Sequence, residues 1–315
     1  MKVAFFASDK IALPSIEMLG KRGVLACVVS NPDKPKGRGN KLSPNDVSAY
    51  ALERNITLFR PEKNNENSLI EELKKLGVNS IVVIAYGSIL KDAIINYPEL
   101  LCLNLHGSIL PEFRGASPIE SALALRRKTT GVSLMRIVKK MDAGAVADTV
   151  LVEIAANDTA KTLREKMGIA AAELLEKNLT AIEQKSLVFT EQDESKATYT
   201  RKFFKDDLYI DFSLTAAEIC ARIRAFGCGI FEYNGVPLKV LKADFSEGNP
   251  QRMGEIFVDG NNSLKISAKD SYLVVQTIQK PCAKAMDISQ FLQGFKFDGN
   301  LQIAFKHNSP ILKQM

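Results

Sequence analysis

Residues 79–107 read NSIVVIAYGSILKDAIINYPELLCLNLHG and carry two apolar runs of strand length, NSIVVIAYG (79–87) and LCLNLHG (101–107). A strand that is apolar without alternation buries both faces, as strands do inside a parallel sheet covered by helices. The stretch just before, SLIEELKKLG (68–77), has helical spacing and stops at Gly77. Working towards the amino terminus, VAFFA (3–7) and LACVVS (25–30) are two more buried strands. LPSIEMLGK (13–21) between them is a helix that tolerates Pro14 in its first turn. Strands alternating with helices in this way predict an α/β, Rossmann-like parallel sheet. Ligands of such sheets sit beyond the carboxyl ends of the strands. That rule points to the Tyr86-Gly87 turn and to the segment 104–107.

Working outwards to the carboxyl terminus, DTVLVEI (148–154) alternates as a strand. Residues 159–184 form one long helix, capped by Asp158 or Thr159. EQDESKATYTRKFFKDD (191–207) is polar and mixed in charge, which predicts a linker. The grammar then changes. LYIDF (208–212) alternates as a strand, and Thr215 and Glu218 have capping-box spacing for a helix ending near Phe226. Asn234-Gly235 between apolar runs marks a tight hairpin within 231–245, and 254–278 splits into three short strands. The expected layout is a catalytic domain over 1–190, a linker over 191–207, and a small OB-like β-barrel domain over 208–315.

Composition narrows the function. The 315 residues are 46% hydrophobic and 25% charged, ordinary for a globular chain. No apolar run approaches the roughly 20 residues of a membrane span, and the apolar start MKVAFFASDK is too short for a secretory signal. Cysteines 27, 102, 220, 228 and 282 form no CxxC pair, which argues against a zinc site or disulfide framework and for a reducing, cytoplasmic setting. The first strand is followed by ASDKIALPS, without the glycines of a dinucleotide fingerprint, and no Walker A motif is present. NAD and nucleoside triphosphates are therefore excluded as expectations. Net charge is +6, compatible with a polyanionic partner.

The chemistry concentrates in NLHGSILPEFRGASPI (104–119). Asn104 and His106 are two apart at a strand end, so they point to one side. An amide donor beside an imidazole suits an oxyanion. Asp142, in KKMDAGAVADT (139–149), is a carboxylate able to orient that imidazole. Spacing alone leaves a turn-forming Asn, a core His and a turn Asp as alternatives.

These residues resemble the 10-formyltetrahydrofolate-dependent formyltransferase family. The likeness rests on Asn104-x-His106-x-Ser108-Ile109-Leu110-Pro111, on Arg114-Gly115-Ala116-Ser117-Pro118-Ile119 and on Met141-Asp142-Ala143-Gly144. It implies catalytic roles for Asn104, His106 and Asp142, and 10-formyltetrahydrofolate as co-substrate without a metal. It implies a folate site at Ser108, Ile109, Leu110 and Pro111 and a pterin loop including Tyr86, Gly87, Ile89 and Leu90. The basic stretch 31–42 is similar to that of members acting on initiator Met-tRNA, which implies tRNA contacts from Lys34, Lys36, Arg38 and Lys41 and a monomer working in translation. Members acting on sugar nucleotides share the same Asn/His/Asp set and are the alternative. The chain departs from the family where MDAGAVADT replaces the usual MDAGLDTGD, and where Gly227-Cys228-Gly229 replaces a proline-containing loop.

Overall fold

The computed structural model describes residues 1–36, 41–62, 65–260, 262–297 and 302–313. In chain order the first elements are β1 (Val3–Phe6), α1 (Leu13–Lys21), β2 (Leu25–Val29), β3 (Lys34–Lys36), β4 (Lys41–Ser43) and α2 (Asp46–Glu53). Next come β5 (Leu58–Phe59), α3 (Glu66–Lys75), β6 (Ser80–Val83), α4 (Asp92–Ile95), β7 (Cys102–His106), β8 (Arg114–Gly115) and α5 (Pro118–Ala124). Then follow β9 (Thr129–Arg136), β10 (Val146–Glu153), α6 (Ala160–Glu183), β11 (Tyr199–Thr200) and α7 (Ala216–Phe226). The last are β12 (Gly229–Tyr233), β13 (Val236–Ser246), β14 (Ile256–Asp259), β15 (Ser263–Ser267), β16 (Tyr272–Gln279), β17 (Met286–Asp287) and α8 (Ile288–Gly294). The chain divides into two compact units: Met1–Gly115 with Thr129–Glu153 and Arg164–Thr198, and Ala116–Lys128 with Ile154–Leu163 and Tyr199–Met315.

The first unit is built on a seven-stranded sheet of order β10-β9-β7-β6-β1-β2-β5. The strands β7, β6, β1, β2 and β5 run parallel, as the unbroken apolar runs require. Ala4, Phe6, Val29, Ile81 and Leu73 pack together in its interior. The edge pair differs from the all-parallel expectation, because β9 runs antiparallel to both β7 and β10. Strand β9 escapes a sequence reading. It is buried at six consecutive positions yet contains Thr130, Gly131 and Ser133, so it shows neither alternation nor an apolar run. Gly131 is required there, since a Cβ would lie 2.3 Å from the carbonyl oxygen of Val150 on β10.

Thr159 caps α6, whose residues from Arg164 onwards belong to the first unit, by accepting the Thr162 N–H at 3.3 Å. In the second unit, the Thr215–Glu218 capping box opens α7, and Gly227 ends it in the left-handed region with φ 81°. An antiparallel sheet of order β12-β13-β16-β15-β14, with β17 on β16, curls over a core containing Phe212, Leu238, Val240, Leu264 and Ile266. Asn234 and Gly235 take φ values of 50° and 75°, the positive pair of a tight hairpin. This is an open half-barrel, in keeping with the small barrel expected. Residues 208–212 are not a strand, contrary to their alternation. They make a single bridge, Tyr209 to Ile230. Asp207 accepts the Phe204 N–H and Asp211 accepts the Ser213 N–H, so local side-chain bonds compete with a ladder.

Candidate active site

His106 is the last residue of β7, at the carboxyl end of the parallel strands, and only 6% exposed. Its Nε2 lies 2.9 Å from the carbonyl oxygen of Phe113, and its Nδ1 lies 3.6 Å from Oδ1 of Asp142. A carbonyl can only accept, so Nε2 carries the proton and Nδ1 is the basic nitrogen of the neutral ring. The Nδ1–carboxylate distance is too long for a direct hydrogen bond but within ion-pair range of the ring. Asn104, two residues earlier, is half-buried on the same side of the strand, between Val83 and Met135 of the neighbouring strands.

The carbonyl that holds His106 sits on a strained residue. Phe113 has φ 59°, a conformation that costs a bulky side chain about 1–3 kcal/mol. Its surroundings fix it: the Phe113 N–H donates to Oγ1 of Thr198 at 2.9 Å, and the Arg114 N–H donates to the Thr198 carbonyl at 2.9 Å.

Asp142 comes from the turn between β9 and β10. Its Oδ2 accepts the Gly115 N–H at 2.8 Å, and its own φ is 49°. The turn packs tightly, because a Cβ on Gly144 would stand 2.0 Å from the carbonyl oxygen of Arg136. The structure therefore brings His106 and Asp142 together across 36 positions of sequence through the short strip Phe113–Gly115, which touches both.

A second layer lies behind this strip. The Gln192 side-chain amide donates to the carbonyls of Asp142 at 2.9 Å and Gly144 at 2.7 Å. Its Oε1 accepts from Nε and Nη2 of Arg114 at 3.0 and 2.8 Å. Arg114 is fully buried, and its guanidinium also binds both carboxylate oxygens of Glu194 at 3.2 and 2.9 Å. Lys140 binds Glu194 at 2.6 Å from another side. The Arg114 hydrogen bond, helped by Lys140, lowers the Glu194 carboxyl to about 2. Gln192 and Glu194 lie in the polar stretch expected to be a linker, of which residues 191–198 join the first unit. Sequence reasoning missed them because their partners are 48 to 80 positions away.

The remaining predicted residues occupy the loops around this centre. Ser108 is fully buried and donates to the Glu112 carbonyl at 2.6 Å, closing the turn that presents Ile109, Leu110 and Pro111. Ser133 of β9 donates to the Ser108 carbonyl at 2.8 Å and accepts the Leu110 N–H at 3.2 Å. The loop 84–91 leaves the neighbouring parallel strand β6 at the same end of the sheet. In it the Tyr86 ring is buried edge-on against Phe6, so that side chain belongs to the core and only its backbone faces the loop. Gly87 has φ 77°, Leu90 is half-buried against the core, and Ile89 is 89% exposed at the loop surface. Asn31 holds this loop, accepting from Ser88 Oγ at 2.7 Å and donating to the Tyr86 carbonyl.

Lys34 is exposed on β3, which pairs with β4 as an antiparallel ribbon. Lys36 and Lys41 are opposed in that ribbon, whereas Arg38 lies outside the described residues. Arg60 grips both oxygens of Asp33 at 2.8 Å at the base of the ribbon. Burial pushes the thiols of Cys27, Cys102 and Cys220 up to about 12, so none of these is a ready nucleophile. No helix among the described residues is long and apolar enough to cross a membrane. The site thus offers an amide, an imidazole with a free basic nitrogen, and a carboxylate, beside two loops with apolar surface.

Comparison with known proteins gives this arrangement its context. Residues 1–179 match the formyl transferase family, and residues 202–296 match the formyl transferase C-terminal domain. The chain is 36% identical over 303 residues to the methionyl-tRNA formyltransferase of Sulfurihydrogenibium sp. (strain YO3AOP1), covering 94% of this chain and 97% of that one. It is 31% identical over 305 residues to the enzyme of that name from Ruminiclostridium cellulolyticum, covering 95% and 98%. Among solved structures, the N-formyltransferase from Helicobacter canadensis, in complex with folinic acid and dTDP-3-aminofucose, shares the fold. Its TM-score is 0.65 and its identity 20%, covering 89% of this chain and 99% of that one.

Proposed function

The chain belongs to the formyl transferase family, and from that premise we propose that it transfers a formyl group from 10-formyltetrahydrofolate to the α-amino group of methionine carried by initiator Met-tRNA. The observation that carries this reading is the 36% identity to a methionyl-tRNA formyltransferase across nearly the whole of both chains. The second family match extends it to the carboxyl-terminal domain. In this reading 1–190 is the catalytic domain and 208–315 the tRNA-binding domain, in a monomeric cytoplasmic enzyme of translation.

The geometry supports a division of labour at the reacting carbon. The neutral amine attacks the formyl carbon, forming the new C–N bond and a tetrahedral oxyanion. Asn104 donates an N–H to that oxyanion. Nδ1 of His106 receives the proton the amine loses, while Nε2–H stays on the Phe113 carbonyl and holds the ring. Asp142 stabilises the imidazolium so formed. Collapse breaks the bond to the folate nitrogen, and that nitrogen gains the proton from His106. The folate fits the two loops: Ile109 and Leu110 follow the closed Ser108 turn, and the exposed Ile89 offers apolar cover for a flat heterocycle. Lys34, Lys36, Arg38 and Lys41 supply cations for the phosphates of the tRNA acceptor end.

The test is an assay of the purified protein with 10-formyltetrahydrofolate and charged initiator tRNA, with elongator Met-tRNA and an amino-sugar nucleotide as rival acceptors. Formyl-methionyl initiator tRNA is the expected product. Turnover confined to the sugar acceptor would overturn the reading.

A further inference from the structure

We propose that Gln192 is a positioning residue for the Asp142 carboxylate, and that Arg114 and Glu194 exist in this site to hold Gln192. The argument starts from what a carboxamide can do and what its neighbours need. The Asp142 and Gly144 carbonyls both point at one side-chain NH2, which alone has two protons to give. The other end of the same amide is fixed by two N–H groups of a fully buried guanidinium. Gln192 is therefore oriented from both ends, with no freedom to flip without facing donor against donor and acceptor against acceptor.

The chain of contacts closes on itself. Arg114 sits between Phe113, whose carbonyl holds His106, and Gly115, whose N–H holds the Asp142 carboxylate. Its side chain then returns through Gln192 to the Asp142 backbone. The imidazole and the carboxylate are thus fixed relative to one another by a single loop of bonds. This matters because Asp142 and His106 do not hydrogen-bond directly at 3.6 Å, so nothing between the two groups themselves sets their separation. Asp142 also has a positive φ, and a residue so placed needs its neighbours to hold it.

The proposal rests on the formyl-transfer reading for its kinetic arm only. Gln192→Leu keeps the bulk and removes all four bonds. Gln192→Glu keeps the acceptor for Arg114 and removes both donors, and it serves should the leucine variant not fold. Either is expected to lower kcat roughly tenfold to hundredfold, with KM for both substrates within about twofold. In an Asp142→Asn background the Gln192→Leu change is expected to cost nothing further, because the group it positions is already lost. A structural role elsewhere would instead give additive losses, and that result overturns the proposal. The ring-nitrogen NMR resonances of His106, assigned with His307→Gln, report the site without turnover. They are expected to move in Gln192→Leu in the same sense as in Asp142→Asn. Wild-type resonances together with wild-type kcat in both variants would also overturn it. A wild-type protein that transfers no formyl group refutes the function proposed above, and the resonances then decide the positioning role by themselves.

Discussion

Replacing Gly144 by alanine should damage the chemistry more than the fold. The new Cβ would stand 2.0 Å from the Arg136 carbonyl oxygen and 3.0 Å from its carbon, both rigid backbone atoms. Approaches under 3.0 Å are essentially never seen, so the chain must retreat by about 1 Å at Gly144. The Arg136 N–H bond to Ala145 at 3.0 Å resists this on one side, which directs the movement into the turn carrying Asp142. A misplacement of about 1 Å in a positioned group costs on the order of 100-fold in rate, or about 2.7 kcal/mol of barrier. Overpacking also costs about 1–3 kcal/mol of stability, a fall of roughly 2–12 °C in Tm. Initial rates at saturating 10-formyltetrahydrofolate and Met-tRNA, with a thermal melt of the same sample, measure both. Gly20→Ala is the control, since it lies in helix α1 with nothing within 4 Å of its would-be Cβ. A Gly144→Ala protein with the kcat of wild type would refute the reasoning, because the turn could then move without consequence for catalysis.

Three further outcomes are expected. His106→Ala and Asn104→Ala should each fold and slow formyl transfer roughly 100- to 1,000-fold in single-turnover measurements. Replacing Lys34, Lys36, Arg38 and Lys41 with alanine should raise KM for Met-tRNA, spare folate binding and flatten the dependence of log KM on log salt. The Glu194 carboxyl is depressed from 4.5 to about 2 in the folded protein, so its contribution to stability is complete above about pH 4.5 and fades as pH falls towards 2. Thermal melts of wild type and Glu194→Gln should therefore differ by a constant gap at neutral pH that closes through that acid window.

Much of the parallel sheet could be read from the chain because burial on both faces leaves an unmistakable mark in VAFFA, LACVV and SIVV. The Thr215–Glu218 box and the Asn234-Gly235 hairpin were equally legible, since each is a local rule satisfied by local atoms. The failures share a different physics. Strand β9 mixes Thr, Gly and Ser into a buried strand because its neighbours, not its own pattern, call for them: Ser133 bonds Ser108 and Leu110 of the loop after β7, and Gly131 leaves room for the Val150 carbonyl. LYIDF alternates like a strand, yet Asp207 just before it and Asp211 within it spend oxygens on nearby N–H groups. Gln192 and Glu194 read as solvated linker because polar residues look alike until the fold delivers a buried arginine to them. The site residues drawn from the Asn-x-His and MDAG motifs needed a resemblance, since no periodicity ties Asp142 to His106.

The turn that carries Asp142 has one more consequence, for how this protein can change over time. Strands β9 and β10 close the turn with Met135 opposite Val146 and, past a bulge at Val146–Asp148, pair in continuous register from Leu134 opposite Asp148 to Thr129 opposite Glu153. Adding or deleting a single amino acid between Ile137 and Ala145 would slide the acid by about 3.3 Å, nearly the whole gap it now keeps from the imidazole. The number of residues in that segment is thus as much a part of the site as the side chains it carries.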